Sequence, residues 1–182
     1  MSLERFLVTV LDALGSAGIP AMLTGSVAAA VHGATRATMD VDLVIEAAPA
    51  GIDVFVDRME ARGYYVSREA AHDALASATM FNVIDPNSGW KADLIIRKAR
   101  PFSEAEFARR ETRELLGMSI AVSRVEDLII AKLEWASLGG SSRQLEDVST
   151  LIRLAAPELD TAYVQHWVEV LGLEVLWNRV RQ

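Results

Sequence analysis

Leu23-Thr24-Gly25-Ser26-Val27-Ala28-Ala29-Ala30-Val31-His32-Gly33 runs on through Arg36 and Thr38 to Asp40-Val41-Asp42-Leu43-Val44-Ile45. Ile19 to Leu23 is a short apolar segment that suits a strand, and the alanine-rich Val27–His32 suits a short helix closed by Gly33. Thr24-Gly25-Ser26 therefore sits at a strand-to-helix turn. Glycine lets backbone approach a ligand closely, free N–H groups at a helix start attract phosphate, and the serine hydroxyl adds a donor. The same pair also serves as an ordinary helix N-cap. Val41 to Ile45 reads as a second strand. Residues two apart on a strand share a face, so Asp40 and Asp42 project together, about 7 Å apart along the backbone. Two carboxylates side by side repel, which calls for a cation or a raised pKa. Magnesium suits the position because it takes oxygen ligands, one or two of them carboxylates. An isolated Asp-x-Asp is equally a strand end with two exposed acids.

Further along, Thr79 to Ile84 is β-rich, Asp85-Pro86-Asn87-Ser88-Gly89 is a turn cluster, and Trp90 to Ile96 runs back as the second arm of a hairpin. That arm carries Asp93 between small and branched residues. Should it lie beside the Asp40–Asp42 strand, three carboxylates converge. Such a set holds two metals, one activating an acceptor hydroxyl and one steadying a leaving pyrophosphate.

Around these strands the spacing predicts helices over residues 3–15 and 52–62, with a third strand near Tyr64 to Ser67. Ser103-Glu104-Ala105-Glu106 reads as a capping box opening a short helix, and Leu116 to Val122 as a last extended segment. From Ser123 the pattern is helical: Ser123-Arg124-Val125-Glu126 is a second capping box, Gly139-Gly140 a break, and Asp160 a cap for the segment holding Tyr163 and Trp167. The outline is α+β: a mixed module over 1–122 and a helical module over 123–182 packed on it.

In the helix from Arg124 to Ser137, Lys132 falls near the middle of the stripe formed by Val125, Leu128, Ile129, Leu133 and Ala136. A buried lysine needs a partner; it reaches an acid or a substrate phosphate, or it snorkels at the core's edge. His32, before a helix-ending glycine, suits a structural hydrogen-bonder.

The 182 residues contain no cysteine, which excludes disulfides, thiolate metal sites and cysteine nucleophiles and suits a reducing compartment. No signal peptide is visible, and the uncharged run from Leu14 to Val31 is too polar and punctuated to span a membrane. A cytoplasmic location is expected. The net charge of -7 argues against broad DNA binding. Two local basic clusters, Arg97-Lys98-Arg100 and Arg109-Arg110-Arg113, are either binding patches or solvated surface.

The glycine-serine turn, His32-Gly33, Arg36, Thr38 and the Asp-x-Asp strand together resemble the minimal nucleotidyltransferases, nearest their AbiEii-type toxin relatives. The match is specific over residues 20–46, fair around Asp93 and looser over 123–155. It implies a palm-like mixed β-sheet flanked by helices, and transfer of a nucleoside monophosphate from an NTP to an acceptor with Mg2+ or Mn2+. By the same resemblance Gly25 and Ser26 face the triphosphate, Asp40 and Asp42 bind the metals, and Asp93 is the third acid. Arg36 grips a phosphate or pairs with an acid. Lys132 and Asp147 look like the lysine and later aspartate implicated in those relatives. Acceptors in the superfamily include tRNA ends, protein side chains and aminoglycoside-like antibiotics. The branch also admits a cognate antitoxin as partner, and nucleic acid only where tRNA is the acceptor. Gly25-Ser26 departs from the Gly-Gly of many relatives, though both forms occur. Two alternatives are a catalytically silent nucleotide-binding or regulatory module of the same fold, which usually loses part of the acid triad, and metal-assisted phosphoester hydrolysis.

Overall fold

Side-chain alternation along a few neighbouring strands decides which face of the sheet is core and which is site. A computed structural model describes residues 2–34, 37–115 and 117–181; the candidate Arg36 lies outside the described residues. The chain runs α1 (Leu3–Ser16), β1 (Ala21–Thr24), α2 (Gly25–Val31), β2 (Asp40–Ile45), α3 (Pro49–Ala61), β3 (Tyr65–Val66), α4 (Arg68–Ser77), β4 (Met80–Ile84) and β5 (Lys91–Ile96). There follow α5 (Pro101–Arg109), β6 (Glu111–Leu115), β7 (Met118–Val122), and then helices only: α6 (Val125–Gly139), α7 (Ser142–Ala155), α8 (Thr161–Leu171) and α9 (Glu174–Val180). The strands form one mixed sheet in the order β3-β4-β5-β2-β1-β7-β6. β2 pairs parallel with β5, and β1 parallel with β7; the other neighbours are antiparallel.

On one face, Leu23, Val41, Leu43, Ile45, Ala92 and Leu94 are fully buried and join a core with Phe6, Leu7 and Val10 of α1 and Ile52, Phe55 and Met59 of α3. Each of these side chains larger than alanine contributes about 1.5–3 kcal/mol relative to exposure. Sliding β2 by one residue would expose Val41, Leu43 and Ile45 and bury Asp40 and Asp42, so hydrophobic burial fixes where the aspartates point. The opposite face is smaller in apolar content: Met22, Val44 and Phe107 form a second cluster with Ile95 packed against it.

Several local expectations need correction. α2 begins at Gly25 rather than Val27, with Thr24 as its N-cap. Neither capping box caps a helix. α5 starts earlier, at Pro101, whose missing N–H is no loss in a first turn. Ser103 lies inside that helix and accepts from Arg100 Nε at 2.9 Å. α6 starts at Val125 without a side-chain cap, and Glu126 instead accepts the backbone N–H of Asp160. Asp160 does cap α8, accepting from the N–H of Tyr163 at 2.9 Å. Two elements had no sequence counterpart. α4 buries only Ala71 and Ala74, so it shows almost no apolar stripe. β6 is a charged edge strand, Glu-Thr-Arg-Glu-Leu, without the alternation that marks a half-buried strand. Among the described residues, no helix is long and apolar enough to cross a membrane.

Candidate active site

The register of four strands lays side chains across the open face in rungs. Thr24 of β1 stands opposite Asp42 of β2, Asp42 opposite Asp93 of β5, and Asp93 opposite Asn82 of β4. The next rung outward pairs Asp40 with Lys91, and the next inward is apolar: Met22, Val44, Ile95 and Met80. Asp42 and Asp93 are therefore direct cross-strand neighbours on one face, where like charges repel.

At the end of β1 the chain turns into α2 against this rung. Gly25 adopts φ +65°, and a Cβ there would lie 1.9 Å from Asp42 Oδ2. Both the conformation and the space require glycine. The backbone N–H of Ser26 donates to the Asp42 carboxylate. Burial, then the neighbouring charges of Asp93 and Asp40, push the Asp42 pKa up to about 6, against the opposing pull of Lys132 and the Ser26 hydrogen bond.

Asp93 is 8% exposed. It accepts from the Asn82 side-chain amide and from Lys91 Nζ at 3.1 Å. Lys91 Nζ also lies 3.4 Å from Asp40 Oδ1, so one ammonium bridges two of the acids. Burial works against its charge, but Asp93 and Asp40 outweigh that and hold the Lys91 pKa above the usual value. Among the described residues, no group of three or more His, Asp or Glu side chains is spaced as a ready-made metal cage. The donor set still fits a hard divalent cation that keeps waters and phosphate oxygens in its shell: two opposed carboxylates, raised in pKa at Asp42, beside a glycine that lets the Asp42 carboxylate seat against the turn.

Lys132 on α6 is 3% exposed. Its Nζ reaches Asp147 Oδ2 at 2.7 Å and Gln144 Oε1 at 3.1 Å, both on α7. It also lines a cavity of about 230 Å3 with Gly25, Ser26, Asp42 and Asp93. The ammonium thus shares the cavity with the acid rung and is paired by Asp147 and Gln144 of α7.

His32 lies apart from the rung and donates from Nε2 to the carbonyl of Ser123 at 2.8 Å, tying the end of α2 to the turn before α6. Four arginines of the basic clusters are ion-paired. Arg97 pairs with Glu46, Arg100 with Glu134, Arg109 with Asp127, and Arg113 with Glu111, while Arg110 donates to the carbonyl of Phe107. Sequence reasoning passed over Asn82, Lys91 and Trp135 as site residues. The first two were within reach: Lys91 precedes Asp93 by two residues, and a hairpin turning at residues 85–89 sets Asn82 opposite Asp93.

No family model matches the chain, and no curated protein is significantly similar to it in sequence. Solved structures are similar in fold. The crystal structure of ANT(2'')-Ia in complex with adenylyl-2''-tobramycin superposes with a TM-score of 0.60 at 16% identity, over 98% of this chain and 99% of that one. The solution structure of the same antibiotic-resistance factor gives 0.59 at 15% identity, over 97% and 94%. An antigenic nucleotidyltransferase-like protein from Paracoccidioides brasiliensis gives 0.58 at 19% identity, over 99% and 93%. The chain has the nucleotidyltransferase fold, a mixed sheet flanked by helices and followed by a helical region.

Proposed function

We propose that the chain is a metal-dependent nucleotidyltransferase that moves a nucleoside monophosphate from an NTP to an acceptor hydroxyl. What supports this reading above all is the direct opposition of Asp42 and Asp93 beside the Gly25-Ser26 turn. Mg2+ or Mn2+ bound by Asp40, Asp42 and Asp93 would neutralise phosphate charge and ease departure of pyrophosphate. The Gly25-Ser26 turn with the Ser26 hydroxyl would face the triphosphate, and Lys132, held by Asp147, supplies a positive charge in the same cavity. The acceptor oxygen forms its bond to the α-phosphorus as the bond to the pyrophosphate oxygen breaks, and the hydroxyl proton passes to a carboxylate of the acid rung. ANT(2'')-Ia, with its adenylylated tobramycin, is the precedent for a small-molecule acceptor; a protein or tRNA acceptor belongs to the same reading. The AbiEii-type affinity is part of the proposal, supported by the Lys132–Asp147 pair; a cognate antitoxin partner would follow from that affinity alone.

Titration calorimetry with each NTP and magnesium, alongside a pyrophosphate-release assay, tests it. Magnesium-dependent binding and pyrophosphate release by the native chain, both lost in folded Asp42→Ala, are expected. The seating of Lys91 between Asp40 and Asp93 favours a second reading, a catalytically silent nucleotide-binding module. That reading takes over if NTP binds and pyrophosphate is never released in the presence of protein, tRNA and small-molecule fractions.

A further inference from the structure

Beyond the apolar rung the site cavity continues into a second one. The two share Thr24, Met80, Ile95, Ala131 and Trp135 in their walls, and the second also has a volume of about 230 Å3. That lies below the roughly 300–1,000 Å3 of pockets for drug-sized ligands and suits one flat heterocycle. Trp135, half exposed, gives both an aromatic wall. α5, which does not line the first cavity, contributes Phe102 and Glu106 to the second.

The strands give the second cavity a direction. The Gly25-Ser26 turn leaves β1 past the Thr24–Asp42 pair, on the Asp40 side of the acid rung, whereas the second cavity lies on the other side, past Val44 and Ile95. Successive rungs on one face are about 7 Å apart. A nucleotide with its outer phosphates at the turn and its α-phosphate at the acids therefore carries its ribose over the apolar rung and its base into the second cavity.

Charge and polarity there suit an uncharged ring. Much of the wall is apolar, with Ile96, Phe102 and Leu138 beside the shared residues. Burial and the charge of Asp127 push the Glu106 pKa up to about 8, with Glu134 adding to the shift and Arg100 opposing it, so the carboxyl is mostly neutral at pH 7. Arg97, Lys98 and Arg100 then stand against Glu134 alone in the lining, and the cavity is net positive. That disfavours an ammonium and suits a neutral ring that trails phosphates. Glu106 is 7% exposed and has no hydrogen-bond partner among the described residues, which is rare for a buried carboxyl. Its neighbours are committed elsewhere: both arms of Arg100 hold Glu134, and Asp127 accepts from Tyr163 and Arg109. A neutral carboxyl offers an O–H donor beside an acceptor oxygen. Each common base has a donor next to an acceptor on its pairing edge, where proteins read it.

We propose that this second cavity seats the base of the NTP, flat against Trp135 and hydrogen-bonded at its edge by Glu106. The proposal rests on the nucleotidyl-transfer reading for the direction in which the triphosphate lies.

The probes are ATP and inorganic tripolyphosphate, each titrated calorimetrically with magnesium into the full chain at pH 7 and pH 9. They share phosphates and metal and differ by the nucleoside, so the ratio of their affinities reads the second cavity. ATP is expected to bind at least tenfold more tightly at pH 7. Trp135→Ala, at a half-exposed position that tolerates truncation, and Glu106→Leu, checked by its melting temperature, are each expected to cut that ratio severalfold. Glu106→Gln keeps a donor beside an acceptor and should retain the ratio at both pH values, whereas the native chain, its carboxyl ionised, should lose part of it at pH 9. Magnesium-dependent binding of ATP and tripolyphosphate with equal affinity overturns the base site and leaves the acid rung as a phosphate and metal site. A ratio unchanged by both Trp135→Ala and Glu106→Leu also overturns it. Failure of either probe to bind sinks the nucleotide reading, and this inference with it.

Discussion

Of the described glycines, Gly25 has the least room for a side chain. Its positive φ disfavours any side chain by about 1–2 kcal/mol, and the place a methyl would occupy already belongs to Asp42. Gly25→Ala is expected to displace the Asp42 carboxylate, lowering stability by about 1–3 kcal/mol in urea unfolding and abolishing magnesium-dependent NTP binding. Lys91 acts in the opposite sense. It neutralises Asp40 and Asp93 in the absence of a metal, so Lys91→Met is expected to raise Mn2+ affinity severalfold, as read by titration calorimetry. The ion pairs are partly solvated, and the variant should lose no more than about 1 kcal/mol of stability. A drop in Mn2+ affinity would show instead that Lys91 organises the acids. At this scale Asp40, Asp42 and Asp93 were legible because a strand's two-residue period is strict. Glu106 was not. Its sequence neighbourhood imitates a capping box, and only the earlier start of α5 at Pro101 turns it inward.

Between elements, the joint of α6 and α7 depends on one buried ion pair. Lys132 and Asp147 are nearly enclosed, with side-chain exposures of 4% and 16%. Removing one partner strands a charge, so Lys132→Met should cost about 3 kcal/mol. The double variant Lys132→Met, Asp147→Leu should recover at least half of that in chemical unfolding, because burying a hydrophobic pair is no worse than burying an ionic one. NTP binding should stay impaired in both; a double variant that binds normally would remove Lys132 from the site. The sequence signalled Lys132 through its place on an apolar stripe, whereas Asp147 stood off the stripe of its own helix and was identified only by resemblance. The pairing across a helix–helix joint involves two rotational settings at once, which one helical wheel cannot supply. α4 and β6 were illegible for a related reason: each buries little, and what is not buried leaves no periodic mark.

For the molecule as a whole, the acidic seam between α5, α6 and α8 ties stability to pH. Burial and the charge of Asp127 raise the Glu106 pKa in the folded chain to about 8, against an ordinary value of 4.5. The folded state therefore holds a proton that the unfolded state has lost. Stability from this group is complete below about pH 4.5 and falls as pH rises through 8. Glu106→Gln should remove that slope and leave the variant more stable than the native chain at pH 9, by up to about 5 kcal/mol at about 1.4 kcal/mol for each pH unit of displacement. Parallel melting curves at pH 5 and pH 9 check the sign.

The parallel pairing of β2 with β5 has a consequence for how this protein comes into being. Asp42 and Asp93 are brought face to face only after the intervening crossover of α3, β3, α4 and β4 has closed. Loop-closure entropy opposes that step until the buried strands reward it. A nascent chain that has emerged only through α4 thus has the glycine-serine turn and the first two acids but no opposing carboxylate. Nucleotide affinity should appear late and all at once, making its onset a reporter of completed folding.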